Sequence, residues 1–399
     1  MTKMFLLVCC ILFSSSLYAQ QNDVSNVAIN EISETDNYVL KQKKEELHHS
    51  IVQSVAPLTF DLGKYYFNQQ KNNFVVSGLS LYFILDLFGN GANNQTYQKI
   101  SELMGTSDLN KTNQLLSEYL KNQENLTLHN SLWGNAFKQS YQDEITKLFD
   151  IGIFPLPEHT SVINEWIYQK SNHMLKNVLA EEKTLETDVF LVNTVYFEDE
   201  WEIPFKVLPN LETFTDLSGK EHQIKMMHKQ NKRLYYENSK YQATVLKYKN
   251  NANLFVFLPR IPIDQFLEKL SPDMLKISSF TQSNVDFKMP MFEMTSNINL
   301  NNVLINMGYT DLLDDTADFS RLMYVIDEPY ETKIVQQAKF ILDNKKTVAA
   351  ASTVGRRSLI RARNRTPQRV YEFHANKPFV FVLDTGMFLG VYAYPNVNK

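Results

Sequence analysis

From about residue 51 the apolar residues fall at spacings of three and four, the period of a helix with one buried face. SVAPLTFDLGKYYF (54–67) is the first helix this pattern predicts. SGLSLYFILDLFGNG (77–91) is apolar nearly all round and predicts a more buried helix, opened by a Ser-Gly pair and closed by Gly89 and Gly91. TYQKISELMG (96–105) predicts a helix capped by Thr96 and ended by Gly105. NQLLSEYLKN, EITKLFD and VINEWIYQKSNHMLKNVL (162–179) continue the series, so the first third reads as mostly helix.

The period then shortens. VFLVNTVYFEDEWEIPF (189–205), rich in Val, Phe and Tyr, predicts one long strand. RLYYEN, YQATVLKYK and NLFVFLPR predict shorter strands, and VDFKMPMFEMTSNINL (285–300) alternates between two faces. IVQQAKFILDNKKTV (334–348) is strand-like, and PFVFVLDTGMFLGVYAYP (378–395) predicts a hairpin around Asp384-Thr-Gly386. Helices first and strands later indicate an α+β class, not an alternating parallel sheet. No internal repeat, heptad run or low-complexity domain interrupts this order.

The N-terminus departs from the pattern. Lys3, the apolar run MFLLVCCILF and the small or polar SSSLYAQ predict a secretory signal over residues 1–19, cleaved after Ala19. Residues 20–50 are polar and acidic with weak patterning and read as an extension, leaving 51–399 as a single domain. Both cysteines, Cys9 and Cys10, lie in the signal. A secreted, cysteine-free mature chain would depend on a large apolar core, which its length and 44% hydrophobic content can supply. The sequons at Asn94, Asn110 and Asn125 are expected glycan sites; a fourth, Asn364-Arg-Thr366, is followed by Pro367.

The chemistry of an enzyme is missing. The chain has no G-x-S-x-G, H-E-x-x-H, Walker loop, G-x-G-x-x-G or C-x-x-C. His48-His49 reads as a solvated pair, since adjacent histidines on a helix point apart. Asp314-Asp315 and Glu181-Glu182 read as helix caps and surface charge. We expect no metal, no cofactor, no nucleic acid and no membrane partner. The net charge of −4 argues against a polyanion-binding molecule as a whole.

Basicity is local. KKTVAAASTVGRRSLIRARNRTPQRV (345–370) passes from small residues to six arginines with no acid. At this point separated motifs align with one family. Asn73-Phe-Val-Val-Ser-Gly-Leu-Ser-Leu81 resembles the serpin segment Asn-x-x-x-Ser-Pro-x-Ser-Ile, placing Ser77 and Ser80 at the shutter. Gly91-Ala92 with Thr96, Asn164-x-Trp166, and Asn193-Thr-Val-Tyr-Phe197 with Trp201 and Phe205 are similar to further serpin motifs. So are Met226-Met227, Phe255-Val-Phe-Leu-Pro259, Gly308 with Ala317-Asp-Phe-Ser320, Pro378-Phe-Val-Phe381 and Pro395. The likeness runs from about residue 55 to 395.

The resemblance implies a helical N-terminal part packed on a large central mixed sheet, with further sheets and an exposed reactive-centre loop near 344–369. It implies an inhibitor of serine endopeptidases rather than an enzyme. A protease cuts the loop, the loop enters the central sheet as a new strand, and the acyl-enzyme is trapped. The hinge pattern Gly-Thr-x-Ala-Ala-Ala-x-Thr maps onto Lys346, Thr347, Val348, Ala349, Ala350, Ala351, Ser352 and Thr353, with Lys346 in place of the glycine. Gln336 stands for the shutter histidine and Gly78 for the proline after Ser77.

The residues themselves suit insertion. Thr347, Ala349, Ala351 and Thr353 would face inward, and all are small. Counting forward from Thr347 lands on Ile360-Arg361, and counting back from Pro378 lands near Arg363-Asn364. Arg361-Ala362 is the first choice for the cut bond, because a trypsin-like pocket pairs a carboxylate with arginine. Arg363-Asn364 is the second, and Ile360 would suit a chymotrypsin- or elastase-like target. A non-inhibitory member of substrate, carrier or storage type is the rival reading. The loop arginines could add binding of a heparin-like chain. The protein is expected to be a secreted, extracellular monomer.

Overall fold

The computed structural model of the chain describes residues 34–171, 173–181, 189–324, 331–344 and 369–395. The chain divides into two units, residues 1–47 and 48–399. Within the first, the described residues form the opening turns of a helix, α1 (Glu34–Gln70). That helix begins well before the expected start near residue 51. Residues 38–46 are all exposed, but they are rich in Lys, Gln and Glu, which favour helix without a buried face. Local pairs support it: Lys41 Nζ lies 3.9 Å from Glu45 Oε1, and Gln42 Nε2 donates to Tyr38 Oη at 2.9 Å.

In the second unit β1 (Phe74–Ser77) leads straight into α2 (Gly78–Gly91), which is buried at every residue. Then follow α3 (Asn94–Leu103), α4 (Leu109–Lys121), β2 (Leu126–Gly134), α5 (Gln139–Leu148), β3 (Ile151–Phe154) and α6 (Thr160–Lys170). The early strands escape the sequence pattern because β2 is only half buried at its start, so its alternation is blurred. Asn93, not Thr96, precedes α3; Thr96 lies inside the helix, buried, and its hydroxyl accepts the Asp318 N–H at 2.8 Å. The expected helix over 162–179 stops at Lys170. His173 and Asn177 take positive φ, which breaks the helical run.

The long strand expected at 189–205 ends early, as β4 (Val189–Phe197). Buried Asp199 then turns the chain by accepting the Glu200 N–H at 2.7 Å and the Asn250 N–H at 3.3 Å. β5 (Lys206–Val207), β6 (Glu212–Thr215), β7 (Glu221–Ile224), β8 (Met226–Glu237), β9 (Tyr241–Lys247) and β10 (Asn253–Pro259) follow. After α7 (Ile263–Leu267), the alternating run splits into β11 (Thr281–Pro290) and β12 (Phe292–Asn299), which join different sheets. α8 (Leu300–Asn306), β13 (Thr332–Leu342), β14 (Val370–His374), β15 (Phe379–Leu383) and β16 (Phe388–Tyr392) complete the described chain.

Among the described residues one sheet runs β1–β16–β15–β10–β9–β8–β11–β14 with β5 on β8, and a second runs β12–β13–β4–β2–β3. Their apolar faces meet through aromatic side chains, as where Phe340 of β13 stacks on Phe381 of β15 at 4.9 Å. α6 covers the outer side of the second sheet, burying Ile163 and Ile167 with Trp133, Phe190 and Val192. Asn164 pins the segment after α6 back onto the helix: its Nδ2 donates to the Leu179 carbonyl at 2.9 Å, and its Oδ1 accepts the Leu179 N–H at 2.9 Å. This is the α+β class that the sequence pattern indicates, with the large mixed sheet and additional sheets that the resemblance implies.

Candidate functional site

The second sheet has two parallel pairings among its described strands, β2 with β3 at its edge and β13 with β4 at its centre. β13 pairs directly with β4 in parallel, from Thr332 opposite Val189 to Lys339 opposite Tyr196. Gln336 and Asn193 are register partners there, and both are fully buried. Each bonds away from the seam. Gln336 Nε2 donates to the Ser77 carbonyl at 3.0 Å, and its Oε1 accepts the Ser77 N–H at 3.2 Å. Asn193 Nδ2 donates to Asn130 Oδ1 at 2.6 Å on β2. Ser77 closes the network: its hydroxyl donates to the Gly386 carbonyl at 2.7 Å and accepts the Ser80 N–H at 3.2 Å, capping α2. Ser80 Oγ, Asn193 Oδ1 and Gln337 Oε1 are buried without a hydrogen-bond partner among the described residues. A buried polar atom left unpaired costs about 1–3 kcal/mol.

Gly78 stands where the resembling motif has proline. A Cβ here would overlap Thr59 of α1, so the close approach of the two helices requires glycine.

At the C-terminal end of β13 the chain is held by aromatic packing and backbone bonds. Trp201 Nε1 donates to the Asp343 carbonyl at 2.8 Å, and its indole stacks on Tyr248 at 4.1 Å. The Phe205 N–H donates to the Asn344 carbonyl at 2.9 Å. Lys346 to Thr353, and the bond candidates Ile360, Arg361, Ala362, Arg363 and Asn364, lie outside the described residues. The chain returns at Arg369, whose guanidinium stacks on Tyr371 at 4.4 Å. β14 then pairs in parallel with β11 as an edge strand. Its last residue is tied in from the side: Asp286 of β11 accepts from His374 Nε2 at 2.9 Å and from His228 Nε2 of β8 at 2.6 Å. Residues 345–368 therefore connect the centre of one sheet to the edge of the other.

The structure corrects the solvated reading of His48-His49. His49 is exposed, but His48 Nε2 lies 3.3 Å from Asp384 Oδ2, and its ring packs 5.9 Å from that of buried Tyr119. Asp384 also accepts from Asn253 N at 2.8 Å and Asn253 Nδ2 at 2.7 Å. Burial pulls the His48 pKa down, and the Asp384 carboxylate more than offsets this, holding it above the ordinary imidazole value. The sequence carried a signal for it: 48, 51, 52 and 55 continue the apolar stripe of α1 backward.

Of the three sequons, Asn110 is an exposed residue of α4. Asn94 is exposed, but its Nδ2 donates to Asp318 Oδ2 at 2.7 Å. Asn125 is half buried beside β2. Among the described residues no group of three or more acidic, His or Cys side chains could hold a metal ion. No helix there is long and apolar enough to cross a membrane.

Comparison with known proteins gives a consistent result. The profile described as "Serpin (serine protease inhibitor)" matches residues 53–393. Mouse antithrombin-III is 27% identical over 365 residues, covering 82% of this chain and 77% of that protein. The structure of a thermophilic serpin, tengpin, in its native state superposes with a TM-score of 0.75 at 25% identity, covering 87% of this chain and 94% of that one. Human thyroxine-binding globulin complexed with its hormone superposes with a TM-score of 0.76 at 18% identity, covering 88% and 99%, a likeness of fold.

Proposed function

The chain belongs to the serpin family, and on that premise we propose that it is a secreted, extracellular inhibitor that traps trypsin-like serine proteases as a suicide substrate. The observation that carries this reading is the parallel pairing of β13 with β4, at the sheet centre from which the loop departs. A strand that continues β13 and folds back must run antiparallel to β13. Because β4 is parallel to β13, the same strand is antiparallel to β4 as well. Insertion would replace one parallel ladder with two antiparallel ones, the more stable pairing.

In this reading the protease serine attacks the carbonyl of Arg361. The bond to Ala362 breaks, the new amine leaves with a proton, and Arg361 stays esterified to the enzyme. Thr347 to Thr353 then enter the seam before water reaches the ester. Arg363-Asn364 is the alternative bond. By their charge the arginines of residues 356–369 suit a heparin-like chain as an accessory partner, and the inhibitor acts as a monomer.

The rival, a substrate-like, carrier or storage serpin, draws on one feature. Lys346 occupies the hinge glycine, and a charged side chain there slows entry into a sheet. One experiment separates the two. The protein without residues 1–19 is mixed with trypsin and run on a denaturing gel, and the released C-terminal peptide is weighed by mass spectrometry. Inhibition gives an SDS-stable complex of higher mass and a peptide starting at Ala362. Cleavage without a complex would establish the rival.

A further inference from the structure

Arg233 is a buried cation without a carboxylate of its own. It is 7% exposed, with its guanidinium 4.4 Å from the centroid of the Phe287 ring and 5.6 Å from that of Phe205. Nε donates to Asn231 Oδ1 at 3.0 Å; Nη2 donates to the same oxygen at 2.6 Å and to the Lys229 carbonyl at 3.3 Å. Among the described residues nothing accepts from Nη1. Asp286 is the acid that acts on Arg233, but both its oxygens are engaged by His228 and His374. Burial lowers the Arg233 pKa to about 9, and Asp286 only partly opposes this.

Arg233 lines a cavity of about 200 Å³ whose polar wall is Asn231, Lys232, Lys247, Gln282 and Glu202 and whose remaining lining is apolar, Phe205 included. Lys232 and Lys247 are exposed, so their ammonium groups can swing over the opening. Lys229 stands alongside; burial and then the charges of Arg233 and Lys206 lower its pKa. Positive charge therefore accumulates here in a protein whose net charge is −4. Glu202 is the one acid of the wall, and it is exposed.

We propose that this cavity binds a tetrahedral oxyanion, the sulfate or phosphate group of a small ligand, with Arg233 Nη1 as the fixed donor and Lys232 and Lys247 as mobile ones. A planar carboxylate is best held by a whole guanidinium fork, and here Asn231 occupies one edge of that fork. One free guanidinium nitrogen and the long, mobile side chains of two exposed lysines at the cavity wall suit an ion with oxygens on several sides. The site is separate from the loop arginines and does not depend on the inhibitory reading.

The test is calorimetric titration of the whole protein with inorganic phosphate, inorganic sulfate and glucosamine 6-sulfate, at constant ionic strength set with chloride. Saturable binding at one ion per chain is expected, weakened roughly tenfold or more in Arg233→Met. The double variant Lys232→Ala/Lys247→Ala alters exposed residues and carries the test if Arg233→Met does not fold; it too should weaken binding. Tighter binding of the free ions assigns the site to a free anion, and tighter binding of the sugar ester assigns it to an ester. No saturable binding of any probe, or unchanged affinity in the variants that fold, would overturn the proposal.

Discussion

At the scale of single residues, Ser77 does the most with the least. One hydroxyl caps α2 and ties it to the Gly386 carbonyl in the closing hairpin. Ser77→Ala removes both bonds inside a dry site, so a loss of about 1–2 kcal/mol is expected in urea unfolding. His48 makes a pH-dependent contribution. Its folded-state pKa is raised, so its pairing with Asp384 stabilises fully below the ordinary value of 6.5 and is lost as pH climbs through the raised value. His48→Gln should therefore cost more stability on the acid side of that window than on the alkaline side, read from urea melts across it. Ser77 was legible in the sequence because a motif of known order surrounds it. Asp384 as the partner of His48 was not, because the two are far apart in the chain and only packing brings them together.

At the scale of elements, the proposed mechanism acts at the seam between β4 and β13. Its side-chain bonds run outward, Gln336 to Ser77 and Asn193 to Asn130, so opening it breaks backbone bonds and leaves these pairs intact. A strand entering there must present small side chains to a packed interior. Thr347→Arg is expected to block entry. The variant should still be cut by trypsin but give no SDS-stable complex, and undiminished trapping would refute the hinge assignment. The strand character of β4 and β13 was readable from their runs of Val, Ile and Phe. Their parallel pairing was not, because periodicity reports which face is buried and says nothing about the neighbour. The splitting of 285–300 into β11 and β12 was hidden for the same reason: alternation continues across Pro290 while the chain changes sheets.

At the scale of the whole molecule, the native fold holds a parallel seam that the inserted form would replace with antiparallel ladders. Under the proposed mechanism the chain becomes more stable once residues 345–368 are cut and the freed strand enters the sheet. The proposed mechanism thus predicts that cleavage within 345–368 raises the thermal midpoint by tens of degrees rather than lowering it, as calorimetry of the intact and cut protein would show. A lower midpoint after cutting would mean that the loop does not enter. The sequence by itself determined the α+β class, the main helices of the first third and most of the later strands, the family, and the position of a small-then-basic segment. These depend on local periods and on motifs whose order survives in one dimension. Only the tertiary structure decided that β13 lies against β4, that His48 meets Asp384, and that Arg233 is buried beside an open cavity with its nearest acid already engaged. Each of these is a contact between distant parts of the chain, fixed by how sheets stack and pair, and no local pattern encodes it.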